Sequence, residues 1–498
     1  MRNLDAAYTR VNQIILAILF SFILGWTFQH VYMLNSWNDL VWPGMLVVSS
    51  LAILHVVKKI FQYQVSFTSL VLYLLIASFF IGPGIINVTA GPISIFPYRI
   101  FLMVMGILFL FEFVRPKHKL TTDSIYVKPA LYFFVYWVGY GLLSLSWVKS
   151  LSYGARDFIF LTSGILTILF VVFFFYRERD YVVFFSIWIG AVLLFILLGF
   201  WNHLTHQHLP ISRLATAPDY IRGRPSAVFT NENDFASFMV IGIFFGFALF
   251  NHVKKLWLKG LGLFITLAGL YLILVSTSRA SIIAILLGFS VWFIFLANLK
   301  QKVRTVFLGL GAVFLGTVLF FERVKVAVGN VITEVSSVVG DPGVEEGSVD
   351  IRKNLLRNGM AFLQDTYGIG IGAGNAEYYI KNESIYPTFG QTNLHNWWAE
   401  IMVNYGVFIF TCYLLLYIGM VIKLFRINRT YASWKVKMIS ESLILGLVVF
   451  SIASVSPSSI MTLSYTWLLF AFGLGFLNYM HLNIKIREGA FEDYASYH

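Results

Sequence analysis

Long apolar runs, each closed by a short polar or basic interruption, recur along most of the chain. A helix that crosses a bilayer needs about 20 mostly apolar residues. Runs of that kind lie near 12–28, 40–57, 67–86, 94–114, 129–147, 157–176, 180–200, 234–251, 257–276, 279–298, 303–321, 397–425, 437–456 and 459–481. The pattern predicts an all-α integral membrane protein with about fourteen transmembrane helices, and twelve if the marginal runs, notably the second, do not cross. The connections at 177–179 and 277–278 are very short. The first run follows MRNLDAAYTR, and FQHVYMLNSW after it offers no small-residue cleavage site, so it reads as a retained span.

Two polar intervals break the rhythm, 201–233 and 322–396. The second contains IRKNLLRNGMAFLQDTYGIG, whose Ile351, Leu355, Leu356, Phe362 and Leu363 recur near helical spacing, with Gly368 and Gly370 as stops. The expected organisation is a transmembrane bundle over 1–321, spans one to eleven, with an outer loop at 201–233. A helical extracytoplasmic cap follows over 322–396, and 397–498 holds spans twelve to fourteen and a cytoplasmic tail.

Composition agrees. Of 498 residues, 58% are hydrophobic and 12% charged, with a mean hydropathy of +0.77; soluble domains carry about 25% charged residues. The single cysteine, Cys412, lies in an apolar run, which leaves no internal disulfide and no cysteine metal site. The net charge of +12 does not point to nucleic acid, because the basic residues punctuate apolar segments in small groups.

With the amino terminus in the cytoplasm, 23 of the 36 Lys and Arg residues fall in cytoplasmic segments and six in the long outer interval. Seven oppose the bias: Arg99, Lys149, Arg156, Arg213, Arg222, Arg224 and Arg279. Both termini are therefore expected on the cytoplasmic side.

Under this topology spans eight, ten and twelve point their amino termini outward. Such an end carries unpaired N–H groups and roughly half a positive charge, and it attracts anions. Arg222, Arg224, Asn231 and Asn233 precede or open span eight, Arg279 opens span ten, and His395 with Asn396 opens span twelve. Each has an ordinary explanation alone: Arg279 snorkelling to headgroups, Arg222 and Arg224 as loop arginines, His395 as an interfacial ring, Asn231 as a helix cap. Together they form an electropositive outer cluster suited to a diphosphate, with an imidazole able to take a proton from a hydroxyl. Arg352, Lys353 and Arg357 on the amphipathic segment either guide an anionic glycan or form a solvated face. Glu400, one turn into span twelve, either orients His395, pairs with an arginine or faces water. His203, His206 and His208 read as a loop rather than a metal site, since no carboxylate or cysteine completes them, and GIGIGAGN at 368–375 reads as a turn. No metal and no cofactor are expected.

These residues carry a resemblance. The chain resembles the O-antigen ligase and Wzy-type polymerase superfamily of membrane glycosyltransferases, chiefly over 220–410. His395, Asn396, nine residues and Gly406 fit the ligase pattern, although Ile409 stands where a second glycine is frequent. RPSAVFTNEN fits a second pattern through Arg224, Phe229, Asn231 and Asn233, with Ala227 for the usual glycine and Glu232 for the more frequent proline. STSRAS is similar to a third, through Thr277, Ser278 and Arg279 in compressed spacing.

The resemblance implies a GT-C-like fold in a bacterial cytoplasmic membrane and a metal-independent, inverting transfer on the extracytoplasmic side. The donor would be a glycan on undecaprenyl diphosphate. Arg224 and Arg279 would hold the diphosphate and His395 would act as base or orient the acceptor hydroxyl. Arg222, Asn231, Asn233, Asn396 and Arg352 would bind substrate. Other polysaccharide-assembly membrane proteins are further expected partners. Richness in Phe, Ile and Lys inclines the reading to a polymerase of repeat units, with ligase-type transfer to another acceptor as the alternative. A lipid-linked oligosaccharide flippase or transporter is a rival, disfavoured because the span midplanes hold almost no ionisable residues. A non-catalytic scaffold gives no reason for the Arg, Arg and His placement.

Overall fold

The computed structural model describes residues 66–81, 88–90, 93–95, 97–114, 125–307 and 348–496. The spans expected near 12–28 and 40–57, most of the one near 303–321, and the first part of the 322–396 interval lie outside these residues. The described helices, in chain order, are α1 (Phe67–Ser78), α2 (Pro97–Val114), α3 (Lys128–Ser144), α4 (Leu151–Phe174), α5 (Glu178–Thr205) and a single turn α6 (Asp219–Arg222). Then come α7 (Glu232–His252), α8 (Leu256–Ser276), α9 (Arg279–Val291), α10 (Ser348–Asp365), α11 (Ala376–Glu383), α12 (Trp397–Thr430), α13 (Trp434–Ala453) and α14 (Ser464–Ser496). The one β element among them is a two-stranded antiparallel ribbon, Val88–Ala90 against Ile93–Ile95.

Among the described residues seven helices are long and apolar enough to cross a membrane: α4, α5, α7, α8, α9 with the π turn Trp292–Leu296, α12 and α13. α1 is too short to cross alone, at 12 residues. It ends at Ser78, with Phe79 as its C-cap. It is largely buried, and its Tyr73 hydroxyl donates to Asp180 at 2.6 Å.

α7 is the central post, with almost every side chain between Glu232 and Leu249 buried. It packs closest on α8, where a β-carbon on Gly262 would stand 2.6 Å from the Gly246 carbonyl oxygen. With no hydrophobic drive between helices in lipid, small residues of this kind set how near two backbones come. A second apolar cluster ties α10 and α11 to the start of α12 through Leu355, Phe362, Ile380, Leu394 and Val403.

Five of the seven cations that oppose the charge bias have acidic partners at one end of this bundle. Lys149 pairs with Glu383 at 2.7 Å, Arg156 with Glu377 at 2.5 Å, and Arg222 with Asp219 at 3.0 Å. Arg213 and Arg224 share Glu232 at 2.7 and 3.5 Å. A cation with a nearby carboxylate pulls less towards one side of the membrane than a free one. The same pairs show that the 145–150 connection and the first turns of α4 meet the α11 segment.

Candidate active site

The polar residues singled out in the sequence gather at the end of the bundle where α7 and α12 begin and α13 ends. Each of those two helices starts on an asparagine. Asn231 accepts from the amides of Asn233 and Asp234, both at 2.9 Å, and Asn396 accepts from Trp398 and Ala399 at 3.1 and 3.2 Å. The first-turn donors expected to face an anion are thus partly engaged by their own caps. α9 differs: its Ser278 makes no side-chain cap bond.

Three residues just ahead of these helices take left-handed backbone angles: Ala227 at φ 45°, Thr277 at φ 55° and His395 at φ 50°. Ala227 is the position where the resembling pattern usually carries glycine, and a positive φ is the physical reason for that preference.

The connection 454–463, between α13 and α14, is the hub. Ser456 Oγ donates to Asn233 Oδ1 at 2.9 Å. The Ser458 amide donates to Asp234 at 3.2 Å. Glu400, buried at the start of α12, accepts from Ser459 Oγ at 2.6 Å and from the Ile460 amide at 3.2 Å. It orients the connection rather than touching His395 or an arginine.

His395 leans on the same hub. Its Nδ1 stands 3.1 Å from the Pro457 carbonyl and 3.4 Å from that of Ser456. A carbonyl can only accept, so the neutral ring carries its proton on Nδ1 and keeps a lone pair on Nε2. That nitrogen lies 3.4 Å from the Gln391 side-chain amide, whose nitrogen and oxygen interchange on a flip. Burial first, and then the Arg352 charge, hold the imidazole below its usual 6.5. The ring is therefore neutral at pH 7.

Arg352 of α10 reaches Ser456 Oγ at 3.5 Å. Its charge bears on Arg279 as well as His395, and burial followed by Arg279 pulls its own pKa down. The charge of Arg213 also reaches His395. The structure thus brings Arg279, Arg352, His395 and Arg213 into one electrostatic neighbourhood. Arg224 joins it through Glu232, the carboxylate it shares with Arg213. Arg222 turns back on its own loop, to Asp219 and, at 2.6 Å, to the Ala217 carbonyl. The histidines of 203–208 hold that loop: His203 bridges the Gly223 carbonyl and the Tyr271 hydroxyl, and His208 lies between Ser226 Oγ and the Arg222 carbonyl.

The glycine run at 368–375 is more than a turn. α12 breaks at Gly406, φ 84° and ψ 170°. The break frees the Val403 and Asn404 carbonyls to accept the Ile371 and Gly372 amides at 3.0 Å each, while Val407 donates to Gly368 at 2.9 Å. The run is stitched to the break, and Tyr140 and Trp147 hold it from α3 and the connection after it. The glycine that closes the His395–Asn396–Gly406 spacing is there because two backbones touch.

Beside the hub opens a cavity of about 260 Å³. Asp234 and Ser458 give it a polar side, and Phe160, Phe195, Phe229 and Trp467 are among its walls.

Residues 263–414 match the sequence model of the family described as O-antigen ligase. The chain is also 32% identical over 419 residues to the teichuronic acid biosynthesis protein TuaE of Bacillus subtilis (strain 168), spanning 84% of this chain and 86% of that protein.

The chain belongs to the O-antigen ligase and Wzy-type polymerase superfamily.

Membership makes it a multi-pass membrane enzyme of polysaccharide biosynthesis. Within the superfamily match fall Arg279, Arg352, His395, Asn396 and Glu400; Arg213, Arg224, Glu232 and the 454–463 hub lie outside it. Sequence reasoning passed over the hub because serine and proline carry no charge. It took no note of Asp157, whose carboxylate accepts from Tyr405 at 2.5 Å beneath the glycine run. The signal that could have found Asp157 is an acidic residue inside an apolar span.

Proposed function

We propose that the protein is an inverting glycosyltransferase that polymerises undecaprenyl-diphosphate-linked oligosaccharide repeat units into a surface polysaccharide. Transfer takes place on the outer face of the cytoplasmic membrane. The observation that carries this reading is the neutral His395 ring, its Nδ1 proton directed at Pro457, standing among Arg213, Arg279 and Arg352. Guanidinium groups neutralise the diphosphate as the bond from its oxygen to the anomeric carbon breaks. The acceptor hydroxyl oxygen forms the new bond to that carbon from the opposite face, and its proton passes to His395 Nε2. Undecaprenyl diphosphate leaves with the electron pair. Arg224 and Arg279 act on the diphosphate, and Arg224 does so by exchanging its contact with Glu232. Arg222, Asn231, Asn233, Asn396 and Arg352 shape the binding surface. A lipid-borne donor suits a cavity with one polar side and aromatic walls.

The frame of this reading is a GT-C-like bundle of about fourteen spans over 1–321 and 397–498, both termini cytoplasmic, with 322–396 as an extracytoplasmic cap. The paired exceptions to the charge bias support that sidedness, and the α10–α11 cluster supports the cap. The relative's name favours a teichuronic-type polysaccharide as product.

Transfer of a finished glycan to a different acceptor is the second reading, favoured by the description of the matching family. Purified protein incubated with undecaprenyl-diphosphate repeat units alone separates the two. Elongation supports the polymerase; transfer only after a second acceptor is added supports the ligase; no transfer in either arm overturns both.

A further inference from the structure

α10 faces outward with three cations on one side, Arg352, Lys353 and Arg357. They line an open groove of about 570 Å³ together with Met360, Gln364 and Tyr386. Among the described residues no carboxylate lines it. Asp350, one turn before Lys353, and Asp365 at the end of the helix do not line it and form no ion pair with these cations among the described residues. Among the described residues Lys353 and Arg357 have no ion-pair partner, unlike Lys149, Arg156, Arg213, Arg222 and Arg224 at the same end of the molecule. Arg357 is ordered all the same, its guanidinium lying 5.5 Å from the centre of the Tyr386 ring. The groove leads inward through Arg352, which reaches the hub at Ser456 and whose charge is felt at His395.

We infer that this groove holds an anionic glycan, one whose sugars carry carboxylates, and guides it to the His395 site. The inference rests on the glycosyl-transfer reading of that site and adds the class of chain it handles. Each feature answers a property of such a polymer. Arginine presents a planar fork matched to a carboxylate, and lysine a mobile point charge. The exposed Tyr386 ring offers an apolar face to a sugar ring, with a hydroxyl at its tip. A row of unpaired cations raises the local concentration of an acidic chain before it docks. A bilayer surface is the less suitable occupant. α10 is an amphipathic helix whose apolar residues Leu355 and Phe362 are already buried against α11 and α12, leaving no hydrophobic face to insert.

The test needs no turnover. The full chain in phosphatidylcholine nanodiscs is titrated with a fluorescent oligogalacturonate and with its carboxyl-reduced, neutral counterpart of equal length. The wild type is expected to bind the acidic glycan roughly tenfold more tightly, the ratio two or so exposed charge contacts give. The preference shrinks as salt rises. K353Q/R357Q, both exposed positions whose replacement leaves the core untouched, is expected to lose the preference and keep its affinity for the neutral glycan. Equal binding of the two glycans by the wild type overturns the inference. So does a preference that survives in the double variant, or one that appears only with anionic lipid in the disc. H395A separates this inference from the reading of the active site. It is expected to bind both glycans as the wild type does, so loss of the transfer reading leaves the binding result standing, and the reverse.

Discussion

Gly406→Ala tests the backbone arrangement under the site. At φ 84° and ψ 170° Gly406 occupies a region almost closed to residues with a β-carbon, and alanine there costs about 1–3 kcal/mol. The new methyl would also overlap the Ile369 carbonyl oxygen and stand 2.6 Å from that of Gly368. Relief requires the glycine run to withdraw. That endangers the bonds from Ile371 to Val403, Gly372 to Asn404 and Val407 to Gly368, each worth about 0.5–1.5 kcal/mol net. The total is on the order of 3–5 kcal/mol, at the severe end for one substitution. Gly419→Ala is the control in the same helix, since a β-carbon there meets nothing within 4 Å and alanine is the better helix former. Thermal denaturation of the purified variants in nanodiscs at one scan rate is the assay, with amide exchange at Ile371 and Gly372 as the local probe. G406A is expected to melt well below wild type with both amides deprotected, and G419A at or above it. A G406A protein with wild-type melting and protected amides would refute the argument.

The remaining predictions concern the site. Because burial and Arg352 lower the His395 pKa, activity is expected to persist as pH falls past 6.5 and to drop only where the buried ring protonates. The same sign holds for stability: above 6.5 the neutral ring costs nothing, and below it the unfolded chain binds the proton first, so stability falls with pH. Arg352→Gln removes a positive neighbour and is expected to move the acid limb of the pH–rate profile upward; an unmoved limb counts against it. Glu400→Ala frees Ser459 and the Ile460 amide and is expected to cut transfer about a hundredfold, whereas Glu400→Gln keeps an acceptor for the amide and restores most of it, read as polymer formed per purified protein. Arg279→Lys exchanges a fork for a point charge, and transfer is expected to fall at least about tenfold with binding of the neutral glycan probe unchanged.

The helical character of the chain was legible because lipid imposes a simple rule, long apolar runs, and seven described helices satisfy it. The segment 67–86 is instructive: apolar enough for a span, it gives only the 12-residue α1 among the described residues, since apolar content does not fix where a helix stops. In the site, charge was the readable signal. Arg224, Arg279, Arg352 and His395 stood out against an apolar background, and Asn231 and Asn396 announced helix starts. Charge could not reveal that Arg222 and Arg224 would be met by Asp219 and Glu232, since pairing depends on how the loop folds back. The dependence of Gly406 on 368–372 was hidden as well. The two stretches are distant in sequence and meet through main-chain atoms; glycines mark each side, but a glycine does not say which backbone it meets.

Ala227, Thr277 and His395 share a backbone state that L-residues avoid, each costing on the order of 1 kcal/mol. All three lie just ahead of helices that carry candidate site residues, so the packing of those helices holds the strain in place. The helix starts are therefore fixed from outside rather than by local preference: glycine at Ala227 or Thr277 relaxes the chain there, and the strain then no longer depends on the neighbours that now hold it.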